Sequence, residues 1–484
     1  MGNFLAIDLG TSAVKVALVS DKGYPVAYSS QGYPTIHNMG GQAEQNTNDW
    51  IQALIQAIKE CNASASTHLE AVVLTGQLPT LVAIKNGDAI GNAITWEDNR
   101  ADVWVEEHIS EQQKKIIYTK TGMPIDGRYL APMYRFHFQD ENKSVDKILS
   151  AKDYIYFLLT DKFVTDPSTA AGYGLYSLNL KTWDADLLDL WAISPTILPE
   201  IHLPQEAAGS VTSQASKLFC LPKGCPVYVG AADSVCGAFA LSSFSDRKTA
   251  VVISGSSTVI MDTLNTPILD PNQRYLLTPH VNKDTFGREM DLLATGSAVK
   301  WLCEIFSLKH DQLINMAQMS QPGANGIMFS PYLAGGEQGA IWNPNAPAAL
   351  VGLTLRTTMA DIARSLIEGI VFEISRCIMV LLETNAIENI VLSSPNASDK
   401  LTPQILSDVL NMPVVPAIAK TSVSALGALL AIDAISKKSP VITQLFKTPY
   451  VPGQHNQTYN ALFSKYKSYF PLDSPLKVQH LRSS

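Results

Sequence analysis

One short pattern occurs twice in this chain, and its repetition limits the available folds more than any other feature. Near the start, Ile7-Asp8-Leu9-Gly10-Thr11-Ser12 reads as an apolar strand running into a tight turn, with a second strand from Val14 to Val19. Much later, Ala250 to Ile253, Gly255-Ser256-Ser257 and Val259 to Met261 repeat strand, turn and strand with a one-residue change of spacing. A single echo is weak, but its position at the head of each half points to a duplicated unit. Length agrees, because 484 residues exceed what one hydrophobic core sustains. The polar patch from Ser242 to Lys248 marks the boundary, which gives domains 1–244 and 245–484.

Between these landmarks the pattern is α/β. Asp21-Lys22-Gly23 turns the chain into a third strand, Trp50 to Glu60 carries helical periodicity through Ile51, Leu54, Ile55 and Ile58, and Leu69 to Thr75 is a buried strand. Pro226 to Gly230 is another strand, followed by a small-residue helix from Ser234 to Leu241. The second half predicts a helix after Gly296, a long amphipathic helix from about Met359 to Leu382, a strand at Ile390 to Leu392 and a small-residue helix from Ser424 to Ile435.

Composition excludes several classes. With 46% hydrophobic residues, 17% charged residues and a formal net charge of -8, the chain has no electrostatic reason to bind nucleic acid or an anionic membrane. Met1 to Ser20 lacks a basic segment followed by an unbroken apolar core, so it reads as neither a signal peptide nor a membrane anchor. The six cysteines are scattered without zinc spacing, which suits reduced thiols in the cytoplasm. A dinucleotide site is excluded too, since the first strand leads into Asp-Leu-Gly-Thr-Ser and a second strand, not a Gly-x-Gly-x-x-Gly turn opening a helix.

Five segments carry chemistry. In Asp8-Leu9-Gly10-Thr11-Ser12, a glycine turn permits positive φ and close backbone approach, so exposed N–H groups and two hydroxyls can surround phosphate oxygens beside a carboxylate able to hold Mg²⁺ through water. The alternative is an ordinary hairpin with a polar rim. Gly255-Ser256-Ser257-Thr258 offers the same kit without the acid, or a common Ser-rich turn. Asp233, where a strand meets a small-residue helix, reads either as an N-cap or as a base accepting a sugar hydroxyl proton. Gly76-Gln77-Leu78-Pro79-Thr80 and Trp96-Glu97-Asp98-Asn99-Arg100 follow strands and offer amide, carboxylate and indole groups to a polyhydroxylated ligand, or else form surface loops with an Asp98 to Arg100 salt bridge.

Taken together, these residues resemble the FGGY carbohydrate kinase family, and within it the xylulokinase branch. The resemblance runs through Lys152-Asp153-Tyr154, Thr165-Asp166-Pro167-Ser168, Gly230-Ala231-Ala232-Asp233, Gly296 to Trp301, Pro331-Tyr332-Leu333, and Ala348 to Leu353 with Asp361 to Glu368. It implies an α/β fold of two domains, an actin/Hsp70/hexokinase-like (ribonuclease H-like) clamshell with its site in the cleft. It further implies transfer of the γ-phosphoryl group of ATP, with Mg²⁺, to a hydroxyl of a ketopentose or related polyol. Carried over by position, Asp233 is the catalytic base and Asp8 its catalytic partner, both beside the metal. Gly10, Thr11, Ser12, Lys15, Gly255 and Ser256 meet the phosphates, Gly296 and Lys300 lie beside the nucleotide, and Asn396 and Ala397 lie beside the adenosine. Gln77, Leu78, Trp96 and Asp98 approach the sugar together with Asp233. The partner is a small sugar or polyol, and a homodimer is left open.

Three departures stand out. Leu78-Pro79-Thr80 replaces the usual Met-His-Gly after Gly-Gln, so a sugar-contacting histidine is absent; Ser256 replaces a threonine; and Ser394 to Ser398 replaces consecutive glycines at the adenosine. The last change keeps an alternative open, a sugar-binding pseudokinase with a degraded adenine pocket.

Overall fold

The computed structural model describes residues 2–38, 40–63, 68–138, 144–243, 248–334, 337–343, 346–394, 399–418, 422–435 and 445–471. The expected boundary between 244 and 245 lies outside the described residues, as do Asn396 and Ala397.

The first half is built on β1 (Asn3–Leu9), β2 (Ala13–Ser20), β3 (Pro25–Gly32), β4 (Leu69–Gly76) and β5 (Pro226–Ala232), side by side in the order β5-β4-β1-β2-β3. The three opening strands pair antiparallel, whereas β4 and β5 join parallel to β1. The second half repeats this arrangement with β6 (Thr249–Ser254), β7 (Thr258–Leu264), β8 (Phe286–Leu292), β9 (Asn389–Ser393) and β10 (Val414–Ala417), in the order β8-β7-β6-β9-β10. Again the first three pair antiparallel and the last two parallel. The echo read in the sequence is therefore the start of two sheets with one topology.

Central strands here are covered on both faces, so they read as nearly continuous apolar runs. In β1 the exception is Asp8, 1% exposed and next to last in the strand. A buried carboxylate at that end of a central strand is costly unless it is paired or used.

Helices cover the sheets. In α1 (Thr47–Ala63), Trp50, Leu54, Ala57, Ile58 and Cys61 are buried on one stripe, as their spacing requires. The helix α2 (Ala151–Thr160) packs on the same half. After β5 the chain enters α3 (Asp233–Ser242), and in the second half α4 (Gly296–Phe306), α5 (Met359–Leu382), α6 (Leu401–Leu410) and α7 (Val423–Ala431) follow. The long helix α5 starts at a capping box, where the Asp361 N–H donates to the Thr358 hydroxyl and the Thr358 N–H donates back to the Asp361 carboxylate at 2.9 Å.

The halves meet where α3 crosses α7. Ala231, Ala232, Val235 and Cys236 share one core with Ala425, Leu426, Ala428 and Leu429. The approach is close enough that a Cβ on Gly427 would sit 1.7 Å from the Cys236 carbonyl oxygen. Among the described residues no helix is long and apolar enough to cross a membrane.

Candidate active site

The two hairpins open onto one cleft. In the first, Gly10 N–H donates to the Ala13 carbonyl at 3.1 Å, and the Tyr33 hydroxyl donates to the Gly10 carbonyl. The expected positive φ is absent from both Gly10 and Gly255. Crowding explains the first glycine, since a Cβ on Gly10 would lie 3.3 Å from Ala13 O and 3.4 Å from Lys15 Nζ. The second turn is held from outside: Thr295 and Ser297 N–H groups donate to Ser256 O at 3.2 and 3.0 Å. Gly296, at the start of α4, allows this, because a Cβ there would meet the Gly255 carbonyl oxygen at 2.1 Å. Gly255 and Ser256 are thus exposed at a hairpin buttressed by a helix N-terminus, a geometry suited to anions.

Asp8 sits opposite Lys15 in the β1–β2 ladder, with Lys15 Nζ 3.4 Å from Asp8 Oδ2. The same oxygen accepts from Ser422 Oγ at 2.5 Å. Ser422 belongs to the second half and also caps α7, so the contact spans the cleft. Asp8 Oδ1 is buried with no hydrogen-bond partner.

Asp233 is the first residue of α3, whose cap is Ala232, so the N-cap reading does not hold. Its Oδ1 accepts from the Ser234 N–H at 2.8 Å. Burial, reinforced by the negative charge of Asp8 and opposed by Lys15, raises its carboxyl to about 6. The segment before it is held by a buried network. Lys152 Nζ lies 2.8 Å from Asp153 Oδ1 and 3.2 Å from Asp166 Oδ1, and it donates to Val229 O. Asp166 Oδ2 accepts from Ser168, whose hydroxyl accepts from the Ala232 N–H at 3.0 Å. The Lys-Asp-Tyr and Thr-Asp-Pro-Ser motifs therefore act on the strand end that presents Asp233.

Beside these groups lies a cavity of about 150 Å³ lined by Thr11, Gln77, Leu78, Trp96 and Asp233 of the expected residues. Gln77 N–H donates to Leu9 O at 2.8 Å and its Nε2 to Gln45 Oε1 at 3.1 Å, which leaves Oε1 buried and without a partner. Trp96 Nε1 donates to Thr11 Oγ1 at 3.1 Å.

Other expected residues lie elsewhere. Asp98 does not line the cavity: it is 1% exposed and accepts from Arg100 Nη2 at 2.6 Å, Arg100 Nε at 3.0 Å and the Ala43 N–H at 2.9 Å. This is the salt-bridge alternative, and the carboxylate serves to fix the Trp96 loop. Lys300 is exposed on α4, with Glu304 3.9 Å away, and Ser12 is exposed at the first turn.

Sequence reasoning missed the opposite wall. Glu289 and Asp291 line the cavity from β8 with Thr278, and Arg128 lines it from the first half. Burial raises both β8 carboxyls, and neighbouring acids add to it. Arg128 Nη2 donates to Asp126 Oδ2 at 2.8 Å, and Gln338 Nε2 donates to the same oxygen at 3.1 Å. The available signal was Arg288-Glu289-Met290-Asp291, charges placed inside a strand otherwise apolar enough to be buried.

Two duplicated α/β halves closing on a cleft, with carboxylates at the strand ends, define the actin/hexokinase-like fold of sugar kinases. The chain belongs to the FGGY family of carbohydrate kinases: the profile of the family's N-terminal domain matches residues 3–240 and that of its C-terminal domain residues 250–432. It is 27% identical to a xylulose kinase of Staphylococcus xylosus over 498 residues, covering 97% of this chain and 100% of that one. Among solved structures it resembles ligand-bound xylulose kinase from Lactobacillus acidophilus, with a TM-score of 0.88, 26% identity, and 97% and 98% of the two chains covered. Gluconate kinase from the same organism matches equally, at a TM-score of 0.88 and 26% identity over 97% of each chain.

Proposed function

We propose that this chain transfers the γ-phosphoryl group of MgATP to a hydroxyl of a ketopentose such as D-xylulose, or of a related polyol. One observation carries the reading: Asp8, with a buried and unpartnered carboxylate oxygen, stands close enough to Asp233 to raise its pKa beside a cavity lined by Gln77 and Trp96. Family membership supports phosphoryl transfer, and the xylulose kinase relatives support the acceptor class.

In this reading Asp233 accepts the proton of the attacking hydroxyl. The sugar oxygen bonds to the γ-phosphorus, the bond to the bridging oxygen breaks, and ADP leaves. Phosphoryl transfer through a loose transition state demands a positioned acceptor more than a strong base, so a carboxylate suffices. Asp8, with Asp233 beside it, would hold Mg²⁺ through water, and the donor set fits, since Asp8 Oδ1 lacks any other partner. When bound, the ion neutralises charge on the phosphate oxygens. Lys15 and the turns Gly10 to Ser12 and Gly255 to Ser256 face the phosphates, with Gly296 behind the second turn. Gln77 Oε1 accepts from a sugar hydroxyl, while Leu78 and Trp96 offer apolar surface to its carbons.

Steady-state kinetics of Asp233→Ala against the parent, across a panel of pentuloses and polyols with MgATP, tests this. The variant should lose about 10³-fold in kcat for the preferred acceptor. Unchanged phosphorylation would remove Asp233 from the reaction.

A further inference from the structure

The two solved kinases above resemble this chain to the same degree and act on acceptors of different charge, so overall similarity does not choose between a neutral sugar and a sugar acid. The cavity lining does. On β8, Glu289 and Asp291 are two residues apart and so point to one face, toward the cleft. Arg288, between Gly287 and Glu289, turns the other way and is spent on Asp262, with Nε to Oδ1 at 2.9 Å and Nη2 to Oδ2 at 2.5 Å. Val259 and Leu276 stand beside Asp291 and Glu289 in the ladders and complete this wall.

The charged residues lining the cavity, among the described residues, are Asp233, Glu289, Asp291 and Arg128. Three are acids, and the one cation is held by Asp126. Glu289 is 6% exposed, and its neighbours are hydroxyls, Ser234 and Thr278, the latter 3.4 Å away. Across the cavity, an independent observation calls for a ligand that brings hydrogen-bond donors: Gln77 is 2% exposed and its Oε1 lacks a partner.

We propose that Glu289 and Asp291 are specificity-determining residues that make this pocket take an uncharged polyhydroxy acceptor and reject the corresponding sugar acid. The inference rests on the sugar-cleft reading above and goes beyond it in naming the groups and the class they exclude. A hydroxyl donates to Gln77 Oε1 and both donates to and accepts from a buried carboxyl group. An aldonate carboxylate only accepts, and it crowds a fourth carboxyl group among three whose one lining cation is already held by Asp126, so it enters only where it or its neighbours carry protons.

The test compares matched pairs, xylitol with xylonate and arabinitol with arabinonate, together with D-xylulose and gluconate. Calorimetric titration of the intact chain without nucleotide reads pocket preference whether or not phosphate is transferred. The parent should bind the better polyol about 100-fold more tightly than its aldonate, and the charge-free pair Glu289→Gln with Asp291→Asn should bring that ratio below about 10-fold. Each single substitution should narrow it partway, which keeps the test available if the double variant does not fold. Aldonate binding within about threefold of the polyol in the parent overturns the proposal, as does an unchanged ratio in the variants. Absence of binding by every probe also overturns it. A parent that binds polyols selectively but does not phosphorylate them refutes the kinase reading and leaves this one standing.

Discussion

At the scale of single residues, the surroundings of Asp233 make its charged form costly to bury, and in the proposed reaction they also make it a usable base. Its carboxyl rises from 3.8 to about 6, through burial first and the neighbouring charge of Asp8 second. The folded chain therefore holds this proton more tightly than the unfolded chain does. Stability from the group is full below about 4 and is lost as pH rises through about 6. At neutral pH the ionised carboxylate then opposes folding by up to about 3 kcal/mol. Asp233→Asn should raise the melting temperature by a few degrees at pH 7.5 and leave it level at pH 4, while abolishing turnover. Scanning calorimetry at the two pH values checks the sign; equal melting at pH 7.5 would show that the site holds no strained charge. The acid limb of kcat/KM in the parent should fall near pH 6 for the same reason.

What was legible at this scale depended on sequence distance. Asp8 and Asp233 stood out because each lies beside the end of an apolar strand whose neighbours in the sequence announce it. Asp98, expected at the sugar, lies outside the cavity lining for a local reason: Arg100, two residues on, was visible as a partner and takes the carboxylate. Glu289, Asp291 and Ser422 were not readable, because their roles depend on the second half being laid across the first. No spacing within one segment encodes that.

At the scale of elements, the second hairpin turn, proposed to meet the phosphates, depends on α4 as much as on its own residues. Helix and turn touch through backbone, with Gly296 at the contact, so the glycine is needed for approach and not for unusual dihedral angles. A methyl group placed 2.1 Å from the Gly255 oxygen must push the two apart. Gly296→Ala should therefore lower kcat/KM for ATP by on the order of 10- to 100-fold, the usual effect of displacing a positioning group by about an ångström. Polyol binding without nucleotide should stay within about twofold, since Gly296 does not line that cavity. Parallel titrations of MgATP and polyol separate the outcomes, and a loss shared equally by both would indicate general destabilisation. The strands and the long helix were readable because strand alternation and helical stripes are local signals. The turn-to-helix contact joins residues some forty positions apart and was not.

At the scale of the whole molecule, the two halves are joined through a shared core and close backbone approach. The α3–α7 crossing is built from small residues, and Ser422 ties the second half to Asp8 at 2.5 Å. Asp233 heads α3, and Ser422 caps α7, so the crossing sets the distance between Asp233 and the opposite wall. Overpacking a tight crossing costs about 1–3 kcal/mol. Gly427→Ala, which drives a Cβ into the Cys236 carbonyl, should lower the melting temperature and split one thermal transition into two as the halves uncouple. A polyol bridging Gln77 and the β8 carboxyls binds only the joined form, so at about 100 times its Kd it should return roughly 2.7 kcal/mol and merge the transitions again. Calorimetry of the variant with and without polyol decides this. A single unshifted transition would mean that the crossing does not couple the halves. Two transitions that polyol fails to merge would mean that the sugar is held by one wall alone, leaving the β8 carboxyls no part in gripping it.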